Sequence, residues 1–312
     1  MSDLGYLERL HLRLAAGVAC LPDGRVAAAR GFLASSQRGD GGFAGREGES
    51  DLYYTAFALR GLAITGALQR DVCERAAVFV RQQAGKPVNI IDFVSLLYAV
   101  GLIQAAGGPD MWGDQQTDLA DAVAAAMEAH RSPDGGYAKK AGAAMGSTYH
   151  TFLAALVYGM IQQPLPEPDR IAGFLTSRRR DDGGFAELPV MKRSGANPTA
   201  AAVALAGILG AEAGLTRGAA DALAALQSPA EGGFHANRIA PAADLLSTFT
   251  ALLTLEELGA MDRANRDAAR RFVESLVTPS GGFRAGAWDD QPDVEYTFYG
   301  LGSLALLAGA TA

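Results

Sequence analysis

The stretch GGFRAGAWDDQPDVEYTFYGLGSLALL (281–307) decides the fold. It opens on two glycines and an aromatic, crosses a short loop, and runs from Asp293 into an apolar segment too long for a strand. A glycine pair permits the positive φ at which a helix can end, and the aromatic can plug the turn against a core. Asp293 has the chemistry of an N-cap, offering a side-chain oxygen to the free amides of a first helical turn. The stretch therefore predicts a pinned turn followed by a buried helix.

Working outward, the same phrase recurs. Its aromatic is Phe43, Tyr137, Phe185, Phe234 and Phe283, each after an amphipathic segment such as RVAAARGFLASSQ or NRDAARRFVESLV. After each triplet comes an apolar helix, and Asp51, Ser147, Asn197, Asp244 and Asp293 fit its N-cap. A sixth segment, IDFVSLLYAVGL from Ile91, has the same texture without its own triplet. Segments such as 69–83 and 115–130 are charged along one face, as an outer helix would be, whereas the helices after the triplets are apolar almost all round. An open stack of such pairs needs polar caps at both ends, yet the last helix is among the most apolar. The expectation is all-α: six helix pairs closed into a double ring, one domain over residues 1–312 with repeats at 24–308. An open solenoid is the alternative.

Composition fits this reading and excludes others. Hydrophobic residues make up 49% of the 312, enough for a large core. The net charge is −7, and the densest basic run, Arg178–Arg180, meets Asp181 and Asp182 at once, so no nucleic-acid partner is expected. Apolar stretches near 200–210 and 298–308 are too short to span a bilayer, and the opening lacks a signal-peptide core, which points to a cytoplasmic protein rather than an integral membrane one. Cys20 and Cys73 are too few for a disulfide framework, and both read as buried small hydrophobes.

The words QRGDGGFAG (37–45), SPDGGYA (132–138), RRDDGGFAE (179–187) and the closing stretch resemble the β subunits of protein farnesyl- and geranylgeranyltransferases and the β domains of squalene–hopene and class II diterpene cyclases. These carry prenyltransferase and squalene oxidase repeats. The resemblance implies an (α/α)6 toroid whose inner helices enclose a deep apolar funnel for a prenyl chain. A rim of inner-helix N-termini would suit a diphosphate.

The zinc site of the protein prenyltransferases is not matched. Asp244 stands where the family has its aspartate, but the cysteine position is Leu246 and the histidine position is Tyr296, so zinc is not expected. Asp244 would serve a metal only at a displaced site, with His235 or His150. The family's diphosphate grip is also thinned: Ser194-Gly195 and Pro241 stand at two of its positions. Arg238 survives, and Lys192, Arg193 and Arg284 are candidates to supply the missing charge; Mg²⁺ would accompany a diphosphate substrate.

The class II cyclases protonate an alkene with the middle acid of an Asp-rich phrase at an inner-helix start. Here Pro292-Asp293-Val294-Glu295-Tyr296-Thr297 approaches that wording, with Glu295 in the donor's place. Burial and the neighbouring Asp293 would hold its proton. Asp51 is a second candidate acid, flanked by Tyr53 and Tyr54, whose ring faces could stabilise cations. Tyr149, His150, Tyr296, Phe249 and Tyr299 begin other inner helices. The expected activity is acid-initiated cyclisation of a prenyl diphosphate or polyene. The alternatives are a prenyltransferase β-like subunit working with a partner chain or as a homodimer, and a non-catalytic lipid-binding toroid.

Overall fold

A computed structural model describes residues 5–86, 89–111, 113, 116–211 and 213–309. Its helices, in chain order, are α1 (Tyr6–Val18), α2 (Asp23–Ser35), α3 (Leu52–Ile64), α4 (Arg70–Gln83), α5 (Ile90–Ala105), α6 (Gln116–Glu128), α7 (Thr148–Met160), α8 (Pro168–Arg178), α9 (Ala196–Leu209), α10 (Ala219–Ala224), α11 (Leu245–Glu257), α12 (Arg266–Ser275) and α13 (Val294–Gly309). The only strands among the described residues are a two-residue pair, Phe234–His235 against Ala243–Asp244. The chain divides into two compact units: residues 1–88, 92–117 and 273–312, and residues 89–91 and 118–272.

In the first unit α13 packs against α1 and α3, and α2 packs against α3. The last repeat thus meets the first. Gly17 of α1 lies so close to α13 that a Cβ there would strike the Ala305 carbonyl. α13 is buried almost all round, from Val294 through Leu307, as its unbroken apolar sequence demands. α4, by contrast, buries one stripe: Val72, Cys73, Ala76, Ala77, Phe79 and Val80. In the second unit the apolar helices α7, α9 and α11 lie side by side, while α8 buries Ile171, Phe174, Leu175 and Arg178.

The glycine–glycine–aromatic turn has the same construction in both units. Its first glycine has φ between 86° and 92° at all five sites, a conformation that costs any other residue strain. A side chain there would also collide with the helix of the next pair: Gly41 with the Arg75 carbonyl, Gly232 with that of Ala268, Gly281 with that of Ala28. The aromatic is fully buried in every copy, which contributes about 2–3 kcal/mol each relative to exposure. Its backbone N–H donates to a threonine hydroxyl one turn into the following helix: Thr55, Thr151, Thr199, Thr248 and Thr297, at 2.9–3.1 Å. One phrase thus ends a helix, fills the core and fixes the start of the next helix.

Four predicted caps stand: Asp51, Ser147, Asp244 and Asp293 each accept a backbone N–H of the first turn. Asn197 does not. Gly195 caps α9, and Asn197 lies inside the first turn, where its Oδ1 accepts the Thr250 hydroxyl of α11 at 2.8 Å. Cys73 is buried as expected, but Cys20, just past the end of α1, is exposed. No helix among the described residues is long and apolar enough to cross a membrane.

Candidate functional site

The start of α13 concentrates the chemistry of the first unit. Asp293 caps the helix through Tyr296 N–H at 2.8 Å, which leaves its other oxygen 3.3 Å from Arg46 Nε. Arg46 also pairs with Asp289, and its guanidinium sits 5.5 Å over the Tyr296 ring. Glu295, in the first turn, is only 8% exposed. Its Oε1 accepts the Tyr53 hydroxyl at 2.6 Å. Burial, seconded by the Asp293 charge, pushes its carboxyl up to about 7, against the opposing pull of the Tyr53 hydrogen bond, Arg46 and Arg60.

A cluster of aromatic rings extends from the Tyr53 that holds this acid. Tyr53 meets Phe57 at 4.9 Å, Phe57 meets Tyr299 at 5.2 Å and Phe298 at 5.7 Å, and Tyr296 lies 6.2 Å from Tyr299. Arg60 is set among them, 4.0 Å over Phe298, 4.8 Å over Phe57 and 5.0 Å over Tyr98. The Tyr54 phenol is raised by burial and then by Glu295, Asp293 and Asp51 together, so all three candidate acids act on one hydroxyl. Asp51 itself caps α3 at 2.8 Å and stays exposed. Arg284 donates to the backbone carbonyls of Asp289 and Ser275 at 3.2 and 3.4 Å, so its present partners are parts of its own turn.

The other candidates lie in the second unit. Arg193 and Arg238 are exposed, as is Lys192. The Tyr149 N–H donates to Glu187 at 3.3 Å. His150 Nδ1 lies 2.6 Å from the Ser147 hydroxyl, its buried Nε2 has no partner among the described residues, and burial lowers its pKa to about 4, leaving it neutral. Phe249 is core.

Zinc does not fit the residues present. Both Asp244 oxygens are spent on Ser247, one on its N–H and one on its hydroxyl, each at 2.7 Å. Leu246 offers no lone pair, and Tyr296 is engaged beneath Arg46. Among the described residues no group of three or more His, Cys, Asp or Glu is arranged to hold a metal ion.

Sequence reasoning missed Arg46 and Arg60, the two cations nearest the acid. No motif marks them; each is a lone arginine whose importance lies in what the fold lays beside it. Four of the five threonines were within reach, since each stands four residues after a predicted cap; Thr199 keeps that spacing only from Gly195, the cap the structure shows.

Residues 23–91 and 212–312 match the family model described as the prenyltransferase alpha-alpha toroid domain. No curated protein matches the chain at a significant level. Among solved structures, the chain is similar to Candida albicans protein geranylgeranyltransferase-I complexed with GGPP, at 14% identity, covering 90% of each chain with a TM-score of 0.71. It is also similar to a variant of the type II terpene cyclase MstE from Scytonema in complex with its product merosterolic acid A, at 15% identity, covering 97% of this chain and 99% of that one, with a TM-score of 0.66. Another variant of that cyclase, holding its substrate geranylgeranyl dihydroxybenzoate, gives a TM-score of 0.61 at 15% identity over 97% and 99%.

Proposed function

Because the chain belongs to the prenyltransferase alpha-alpha toroid family, we propose that it processes an isoprenoid by acid-initiated cyclisation, with Glu295 as the proton donor. The observation that carries this reading is Glu295 itself: a buried carboxyl at a helix start, held by Tyr53 at the edge of an aromatic cluster, with its pKa pushed up to about 7. An acid poised near neutrality can deliver a proton yet be reloaded. In the proposed step the Glu295 O–H proton goes to a terminal alkene carbon, whose π pair forms the new C–H bond. The next double bond attacks the resulting tertiary cation and closes a ring. Loss of a proton from carbon to water then discharges the last cation, and water reloads the Glu295 carboxylate. The net change is isomerisation, so no oxidant or reductant is consumed.

Tyr53, Tyr54 and Tyr296 would face developing cations with their rings, and Asp293, paired with Arg46, would help to hold the proton on Glu295. Asp51 is the reserve acid. For a diphosphate substrate Arg238, Arg193 and Arg284 would take the head group, with Mg²⁺ accompanying it, and Tyr149 and His150 would line the chain. Two structural neighbours hold GGPP or geranylgeranyl dihydroxybenzoate, so a geranylgeranyl chain is the first to try. The prenyltransferase reading loses support from the commitment of both Asp244 oxygens to Ser247.

The test is incubation with geranylgeranyl diphosphate, farnesyl diphosphate and squalene in heavy water, with and without Mg²⁺ and Zn²⁺. The expected product is a cyclic isomer carrying one carbon-bound deuterium, formed without Zn²⁺ and absent with Glu295→Gln. Zinc-dependent transfer of the prenyl group to a thiol, or full turnover by Glu295→Gln, would refute the assignment.

A further inference from the structure

Three loops of the second unit carry a combination that the proposed chemistry uses only in part, through Arg193 and Arg238. They are AKKAGAAMG (138–146), LPVMKRSG (188–195) and ANRIAPAA (236–243), the segments leading into α7, α9 and α11. They hold Lys139, Lys140, Lys192, Arg193 and Arg238, all exposed, and no Asp or Glu, in a chain whose net charge is −7. None of these cations forms an ion pair among the described residues. The same loops expose Met145 (43%), Val190 (71%), Met191 (45%) and Ile239 (67%), and these are the only large hydrophobic side chains exposed among the described residues of that unit.

The loops are neighbours. The Thr148 N–H at the start of α7 donates to the Glu187 carbonyl at 3.1 Å, and the Ala196 N–H at the start of α9 donates to the Ala236 carbonyl at 2.9 Å. Each helix start is thereby tied to the chain just ahead of the next, so the three loops that carry these aliphatic and basic side chains adjoin one another.

A single exposed aliphatic is ordinary, and so is a solvated lysine. Their joint recurrence on three adjoining loops without an acid is not. A diphosphate needs two or three converging cations and leaves Val190 and Ile239 unexplained. Protein interfaces are depleted in lysine at their cores. An anionic bilayer uses both components, taking aliphatic tips into the headgroup–acyl boundary and cations onto its phosphates and carboxylates. We propose that this rim docks the protein on an anionic lipid bilayer, with the starts of α7, α9 and α11 turned toward it. Docking stands independently of the proposed cyclisation; that the membrane also delivers the isoprenoid rests on that reading.

The test is co-sedimentation of the whole chain with phosphatidylcholine vesicles, alone or containing about a third phosphatidylserine. The wild type should partition at least ~10-fold more strongly into the phosphatidylserine vesicles, an effect that salt weakens. Replacing the five cations by Gln should abolish that preference. Replacing Met145, Val190, Met191 and Ile239 by Ser should weaken binding about tenfold or more even at low salt. All nine side chains are exposed, so both variants should fold, which circular dichroism checks. Failure of the wild type to sediment with anionic vesicles, or binding by the Ser variant equal to that of wild type, would overturn the proposal. Neither result touches the heavy-water assay, which is run without lipid.

Discussion

The starts of α11 and α13 are built from one phrase and end in different chemistry. Each follows a glycine–glycine–phenylalanine turn, each places an aspartate at the cap, and each anchors the phenylalanine N–H on a threonine four residues after the cap, Thr248 or Thr297. At α11 the two oxygens of Asp244 turn back on Ser247, and the residue two beyond the cap is Leu246. At α13 Asp293 spends one oxygen on the helix and gives the other to Arg46, and the residue two beyond the cap is the buried Glu295. The cap and the threonine belong to the fold. On the proposed reading, function is written at the second residue after the cap and in whatever the neighbouring helix lays against it.

The largest expected effect tests that division directly. Glu295→Gln keeps an oxygen for the Tyr53 hydroxyl and removes the acidic proton, so turnover should fall by about 10³-fold or more while the fold survives. Asp244→Asn, measured in the same assay, should leave turnover within about twofold. Comparable losses in both variants would erase the contrast between the two helix starts.

Next come the turns, where the two regions should behave alike. Gly281→Ala and Gly232→Ala each force positive φ on alanine and drive its methyl into a neighbouring carbonyl, so each should cost about 3 kcal/mol in chemical denaturation. Gly48→Ala meets the same φ problem in open space and should cost about 1 kcal/mol.

The third effect depends on pH. The Glu295 carboxyl is raised from 4.5 to about 7 in the folded chain, so between these values the folded state binds a proton that the unfolded state has lost. Wild-type stability should therefore drop by about 3 kcal/mol as pH rises from 4.5 to 7 and level off above it. Glu295→Gln should be the more stable protein at pH 8 relative to its standing at pH 4.5. The smallest effect is at the cap: Asp244→Ala should cost about 1 kcal/mol, independent of substrate.

The helices and their pairing were legible because hydrophobic periodicity and glycine turns are local signals repeated five times, and repetition outweighs the ambiguity of any one copy. The Asn197 cap was misread because a polar residue inside a first turn looks the same in sequence as one just before it; what distinguishes them is the Thr250 hydroxyl supplied by another helix. Cys20 was misread because its exposure depends on where α1 stops. The placing of Glu295 and Asp293 together in one first turn was legible from the cap and the two-residue spacing. Tyr53 was named for its ring, and the structure gives it a hydrogen bond to Glu295 as well. Arg46 lies more than 240 residues from its partners Asp289 and Asp293, and no local pattern could have joined them.

The central claim is that Glu295 keeps its proton until the pH nears 7, and infrared difference spectroscopy reads it directly. The spectrum of wild type minus Glu295→Gln should contain the carbonyl band of a protonated carboxylic acid at pH 6, replaced by a carboxylate band with a midpoint near pH 7. A carboxylate band already complete at pH 5.5, below which an ordinary glutamate is still largely ionised down to about 4.3, would contradict the account.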